Sequence, residues 1–126
     1  MSIKVEDIHF AGEDERGLTG EIDSMGRGGK FILAYRVAGS ISGNHYHKGL
    51  SEMKNPEVVF LLEGEVLLKY GDVLDGQLQK KEAVLIEAPA RIEIPINTWH
   101  EMHFEEDSCF FELNSFEEGD KDTFRL

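Results

Sequence analysis

The chain has 126 residues and carries 25 Asp and Glu against 13 Lys and Arg, a formal net charge of −12. That length supports one domain with a real core and is too short for two comfortable ones. The acidic balance argues against nucleic acid or an anionic membrane surface as a partner. The single cysteine, Cys109, excludes an intramolecular disulfide and a Cys-based zinc site. It lies between apolar neighbours and reads as a small core residue. No run of roughly 18 apolar residues offers a membrane helix, and the first six residues do not read as a signal peptide, so a cytoplasmic location is expected.

Residues 3–10 alternate weakly and predict a first strand, in which His9 reads as solvated. Residues 13–17 form a charged turn, residues 18–22 a second short strand, and Gly26, Gly28 and Gly29 mark a loop. Residues 30–37 predict a strong strand. Phe31, Leu33, Tyr35 and Val37 share its apolar face, and Lys30, Ile32, Ala34 and Arg36 share the other. The apolar run 58–62, a turn at Glu63-Gly64 and the return over 65–70 predict a hairpin. Another strand falls within 78–87. A short one, 91–94, lies between Pro89 and Pro95, and 99–104 with 108–113 predict a last hairpin.

No segment predicts a ten-residue amphipathic helix. Short strands at turn-marked intervals predict an all-β sandwich or barrel over residues 1–116, with a ligand cavity in its mouth. Apolar residues on both faces of 58–62 and 108–113 suggest a second buried surface, and hence a homodimer. Residues 117–126 read as an acidic C-terminal tail, exposed and poorly ordered.

The stretch Gly43-Asn44-His45-Tyr46-His47 carries the chemistry. On extended chain, side chains at i and i+2 share a face, so His45 and His47 aim at one point. In Trp99-His100-Glu101-Met102-His103-Phe104, His100 shares a face with Met102 and Phe104 and is predicted to point inward, with His103 outward. A carboxylate would complete a metal-binding set. Glu52 lies in the loop after His47, and Glu57 opens the apolar strand. A strand holds a ligand better than a loop, so Glu57 is preferred and Glu52 is the alternative.

Gly39, His45-Tyr46-His47, Glu57 and Gly64, followed by Pro95-Ile96-Asn97-Thr98-Trp99-His100, resemble the two motifs of the cupin superfamily in order and separation. Asn97 stands where that pattern has glycine, and Phe104 where it has asparagine. The resemblance implies a double-stranded β-helix, or jelly-roll barrel, often dimeric. His45, His47, Glu57 and His100 would correspond to its metal ligands, for a divalent ion such as Zn, Mn, Fe or Ni. Gly43-Asn44-His45-Tyr46-His47-Lys48 and Trp99-His100-Glu101-Met102 further resemble the cupins of bacterial surface-polysaccharide enzymes, the nucleotide-sugar epimerases and ketoisomerases.

These resemblances imply isomerisation or epimerisation of a keto-sugar nucleotide or related carbohydrate. That chemistry needs a base, an acid and partners for anionic groups. His45 or His47 is the candidate base and Tyr35 the candidate acid, with Lys48, Arg36 and Arg91 the candidate phosphate partners. The alternatives are a divalent-metal cupin of the oxygenase type and a non-catalytic ligand-binding or sensor cupin.

Overall fold

The structure, a computed structural model, describes residues 3–126. In chain order the strands are β1 (Lys4–Asp7), β2 (Phe10–Asp14), β3 (Gly17–Gly20), β4 (Ile32–Arg36), β5 (Ile41–His45), β6 (Glu57–Glu63), β7 (Glu65–Leu74), β8 (Gln77–Leu78), β9 (Glu82–Glu87), β10 (Ala90–Ile94), β11 (Thr98–Phe104) and β12 (Ser108–Glu112). A 3₁₀ turn spans Glu52–Lys54, and a short helix, α1, spans Phe116–Lys121.

Two curled antiparallel sheets face each other. One has the order β1-β10-β6-β12-β4; the other has β5-β11-β7-β8, with β9 also on β7. This is the jelly-roll architecture of the cupins. Alternation along the strands fills the space between the sheets. Val59 and Leu61 of β6, Val66 and Leu68 of β7, Ile92 and Ile94 of β10, Met102 and Phe104 of β11 and Phe110 of β12 form the buried core. The side chains of Phe104 and Phe110 stack with centroids 5.7 Å apart. Truncating such a ring costs about 3–5 kcal/mol.

Three sequence expectations change here. The apolar face of 30–37 is the outer one: Leu33, Tyr35 and Val37 are exposed, while Ala34 is buried opposite Phe110. β4 is an edge strand, and its inward row, Ile32, Ala34 and Arg36, closes the core with one small residue between two larger ones. The outer apolar residues of β6 have partners within the chain, since Val58 and Phe60 are buried with Leu113, Ile8 and Phe111. A second surface is therefore not needed to cover them.

The C-terminal segment also departs from its predicted disorder. It forms α1 and then returns to the barrel, where Asp122 is fully buried and Phe124 bridges Tyr46. Composition alone made it a solvated tail. What the composition hid is a set of backbone N–H groups waiting for one of its carboxylates. The β2–β3 hairpin, by contrast, forms a two-stranded sheet of its own with every residue exposed.

Candidate functional site

The chain bends sharply to bring the histidines together. Gly43 (φ 97°) and Asn44 (φ 64°) form a bulge in β5, so that His45 pairs with His100 while Gly43 pairs with Glu101. A Cβ on Gly43 would lie 2.9 Å from the His100 carbonyl oxygen, which reserves the position for glycine. The Asn44 side-chain oxygen accepts the indole N–H of Trp99 at 3.0 Å, pinning the bulge to β11. Asn97, in the glycine position of the second motif, adopts φ 55° and turns the chain into β11. Asparagine tolerates that region where most residues do not.

The result is a cluster at one end of the core. The ring centroids of His45, His47 and His100 lie 4.8–5.2 Å apart. One nitrogen from each falls within 4.8 Å of the others. His47 and His100 are buried and His45 is half-buried. Two backbone carbonyls set the tautomers. The Nδ1–H of His47 donates to the carbonyl of Asp122 at 2.6 Å, and that of His100 donates to the carbonyl of Thr98 at 3.0 Å. A carbonyl only accepts, so each Nδ1 carries the hydrogen. Both Nε2 atoms then face Glu57 Oε2, each at 3.1 Å.

Two imidazole lone pairs and a carboxylate oxygen in such proximity are stable only around a proton or a cation. Three imidazoles and one carboxylate form a donor set suited to a divalent transition metal. The residues present therefore fit the implied ion.

Glu57 is buried between two further charges. Its other oxygen accepts Lys54 Nζ at 2.9 Å, and that ammonium also approaches Glu112 Oε2 at 3.7 Å. Burial by itself would raise the Glu57 carboxyl. The charge of Lys54, with the close approach of His100 and His47, overcomes burial and holds it well below the usual carboxylate range. Glu112 goes the other way: burial first, then the charge of Glu57, pushes it up to about 7. Burial also pushes His45 down, helped by His100, to about 3.

The structure brings together His45, His47, His100 and Glu57, and leaves the alternative Glu52 exposed on the 3₁₀ turn. His103 points outward and pairs with Glu101 at 2.6 Å. Arg36 turns inward, with its Nε on Ser42 Oγ at 2.8 Å and its guanidinium over the Phe110 ring.

Three other predicted residues are elsewhere. Tyr35 is 73% exposed on the outer face of β4, because the strand's inward parity belongs to Ala34 and Arg36. The ammonium of Lys48 lies 4.0 Å over the Phe124 ring. Arg91 pairs with Glu93 at 3.0 Å on the outer face of β10, beside a recess of ≈ 400 Å³ lined by none of the three clustered histidines. Neither basic residue is on the inward row of its segment: Lys48 shares parity with Tyr46, opposite His45 and His47, and Arg91 shares parity with Glu93, opposite the buried Ala90, Ile92 and Ile94.

Sequence reasoning missed Lys54, Glu112, Asp122 and Tyr70. Tyr70 stands cross-strand from His100 and packs against the core. It had a signal in the sequence, the alternation Val66, Leu68, Tyr70 on β7, which puts it on the inner face. Lys54 and Asp122 had none, since each sits in a polar stretch that composition assigns to solvent.

No protein-family model matches the chain, and no curated protein matches it in sequence. Solved structures do match its fold. A 3,4-ketoisomerase from Helicobacter canadensis is 17% identical, with a TM-score of 0.77 over 100% of this chain and 92% of that one. A 3,4-ketoisomerase from Thermoanaerobacterium thermosaccharolyticum, solved with TDP as a double mutant, is 19% identical, with a TM-score of 0.71 over 98% and 87%. A dTDP-6-deoxy-D-glucose-3,5-epimerase from Legionella pneumophila, in complex with dTDP-4-keto-L-rhamnose, is 17% identical, with a TM-score of 0.69 over 98% and 72%. At these identities the likeness shows a shared cupin jelly roll, the fold in which these ketoisomerases and epimerases are built.

Proposed function

We propose that this chain is an isomerase or epimerase of a keto-sugar nucleotide, a cytoplasmic, homodimeric enzyme whose reacting end is the cluster of His45, His47, His100 and Glu57. One observation carries the reading: a convergent histidine site stands in a barrel that matches a 3,4-ketoisomerase over its whole length. The TDP and dTDP-sugar in the matching structures support a nucleotide sugar as the small-molecule partner. The exposed stripe of Phe31, Leu33, Tyr35 and Val37 supports a second copy as its cover.

The reaction takes a proton from the carbon beside a sugar carbonyl, passes through an enediolate, and returns a proton to carbon from the protein. His45 suits the acceptor. Burial and the neighbouring His100 keep its imidazole neutral at physiological pH. An anion raises the proton affinity of a nearby imidazole, so a phosphate-bearing substrate makes His45 a stronger base as it binds. Tyr70 replaces Tyr35 as the candidate acid, and Arg36 is the inward cation for the substrate's anionic groups or the enediolate oxygen.

A second reading is favoured by the acceptors meeting at 3.1 Å. In it His45, His47, His100 and Glu57 hold a divalent ion, Zn, Mn, Fe or Ni. Such an ion, when bound, would polarise a carbonyl. The two readings are compatible.

The test is incubation of the purified protein with dTDP- and UDP-4-keto sugars in D2O, with mass spectrometry of the recovered sugar. Deuterium uptake is expected, lowered about 100-fold or more in His45→Asn and in Tyr70→Phe and unchanged in Tyr35→Phe. No uptake with any of these sugars would sink the reading. Elemental analysis addresses the ion separately: less than about a tenth of an equivalent after reconstitution removes the metal.

A further inference from the structure

The segment after β12 grips the chain from Asn44 to Ser51, on both sides of the two histidines. Asp122 is fully buried, and its carboxylate accepts the backbone N–H of Lys48 at 2.7 Å, Gly49 at 3.0 Å and Ser51 at 3.2 Å. These are three of the four residues that follow His47. The Asp122 carbonyl takes the His47 Nδ1–H. Phe124 exchanges both backbone hydrogen bonds with Tyr46, each at 2.9 Å. Arg125 donates to the carbonyl of Asn44 at 3.0 Å, in the bulge that precedes His45. Glu118 accepts the hydroxyl of Ser51, the residue that caps the 3₁₀ turn carrying Lys54.

None of these contacts is explained by the stability of the segment itself. α1 has six residues and buries none of them. A helix this short is not stable alone in water. The segment is ordered by what it grips, and what it grips flanks the two imidazoles. A buried carboxylate with three N–H donors is well satisfied, so Asp122 is a firm anchor. Its backbone carbonyl is thereby held where it dictates which nitrogen of His47 carries the hydrogen.

We propose that residues 115–126 form a clasp in which Asp122 is a positioning residue for His47: its side chain anchors the turn after His47, and its carbonyl fixes the imidazole tautomer and aims Nε2 into the cluster. Partners of this kind on the far nitrogen of a ligating histidine orient the ring and raise its basicity, and their loss typically costs 10–100-fold in metal affinity. The clasp and the site are coupled in both directions, because whatever binds the aimed Nε2 favours the closed segment by the same factor. The inference bears on the same cluster as the proposed function, and its ion-affinity arm rests on the metal-holding reading.

The experiment compares wild type with Asp122→Ala and the near-isosteric Asp122→Asn, by long-range ¹H–¹⁵N correlation of the imidazoles. His100 is the internal control, since its Nδ1–H goes to Thr98 and not to the clasp. In wild type, both rings are expected in the Nδ1–H form. In the variants, His47 is expected to lose that pure form and become a mixture while His100 keeps it. Affinity for Co(II), followed by its d–d absorption, is expected to fall about 10-fold or more. Hydrogen exchange of the amides of residues 115–126 is expected to slow when Co(II) is added to wild type. Unchanged His47 tautomer in either folded variant, with only the melting temperature lowered, would overturn the proposal and leave Asp122 a purely structural residue. If wild type binds no Co(II), the metal-holding reading fails on its own, and the tautomer comparison still decides the clasp.

Discussion

Replacing Lys54 by methionine probes the most heavily charged part of the interior. Lys54 is 4% exposed, and its ammonium lies 2.9 Å from Glu57 and 3.7 Å from Glu112. Methionine preserves most of the stem and removes the charge. Glu57, itself 2% exposed, then keeps a buried negative charge that has lost its ammonium partner. Breaking a buried pair from one side costs about 3–5 kcal/mol. Against a total stability of about 5–15 kcal/mol for a domain, that is a large share. Urea denaturation at pH 7 with metal removed is expected to show a loss of this size for Lys54→Met. The double variant Lys54→Met/Glu57→Gln is expected to be more stable than Lys54→Met alone, because the stranded charge has gone with its partner. A coupling energy of about 1.5–3 kcal/mol is expected from the cycle. Adding Zn(II) to Lys54→Met is expected to restore part of the loss, since a cation at the histidines supplies the missing countercharge. If both single variants lose under about 1 kcal/mol and their effects simply add, the account of a dry, coupled triad is refuted.

Other outcomes follow from the same geometry. Glu112, raised from the ordinary 4.5 to about 7, binds a proton in the folded state that the unfolded chain releases. Its contribution to stability is therefore fully present below about pH 4.5 and is lost as pH rises toward 7. Glu112→Gln is expected to flatten that decline in melts between these pH values. Gly43→Ala puts a methyl group 2.9 Å from the His100 carbonyl at φ 97° and is expected to cost about 1–3 kcal/mol while weakening ion binding, measured by denaturation and Co(II) titration. Leu33→Asp, in the exposed stripe on β4, is expected to shift the protein from dimer to monomer in light scattering with its melting temperature unchanged at low concentration. A monomeric wild type would remove the dimer.

The sequence by itself determined the class of fold and the inward histidines. Strands, turns and their parity are local properties, so alternation placed His100 inside and His103 outside, and His-x-His aimed His45 and His47 together. Parity says which residues share a face but not which face is inward. That choice depends on what lies across the sheet, and so Tyr35, on the more apolar row of β4, faces solvent while Arg36 turns toward Phe110. Only the tertiary structure decided the charged surroundings of the site. Lys54, Glu112 and Asp122 look solvated in sequence because charged residues ordinarily stay in water unless partners replace it. Their partners are distant in the chain, from backbone amides at 48, 49 and 51 for Asp122 to Glu57 and Glu112 for Lys54. Burial of a charge is a property of the whole arrangement, and no local pattern announces it.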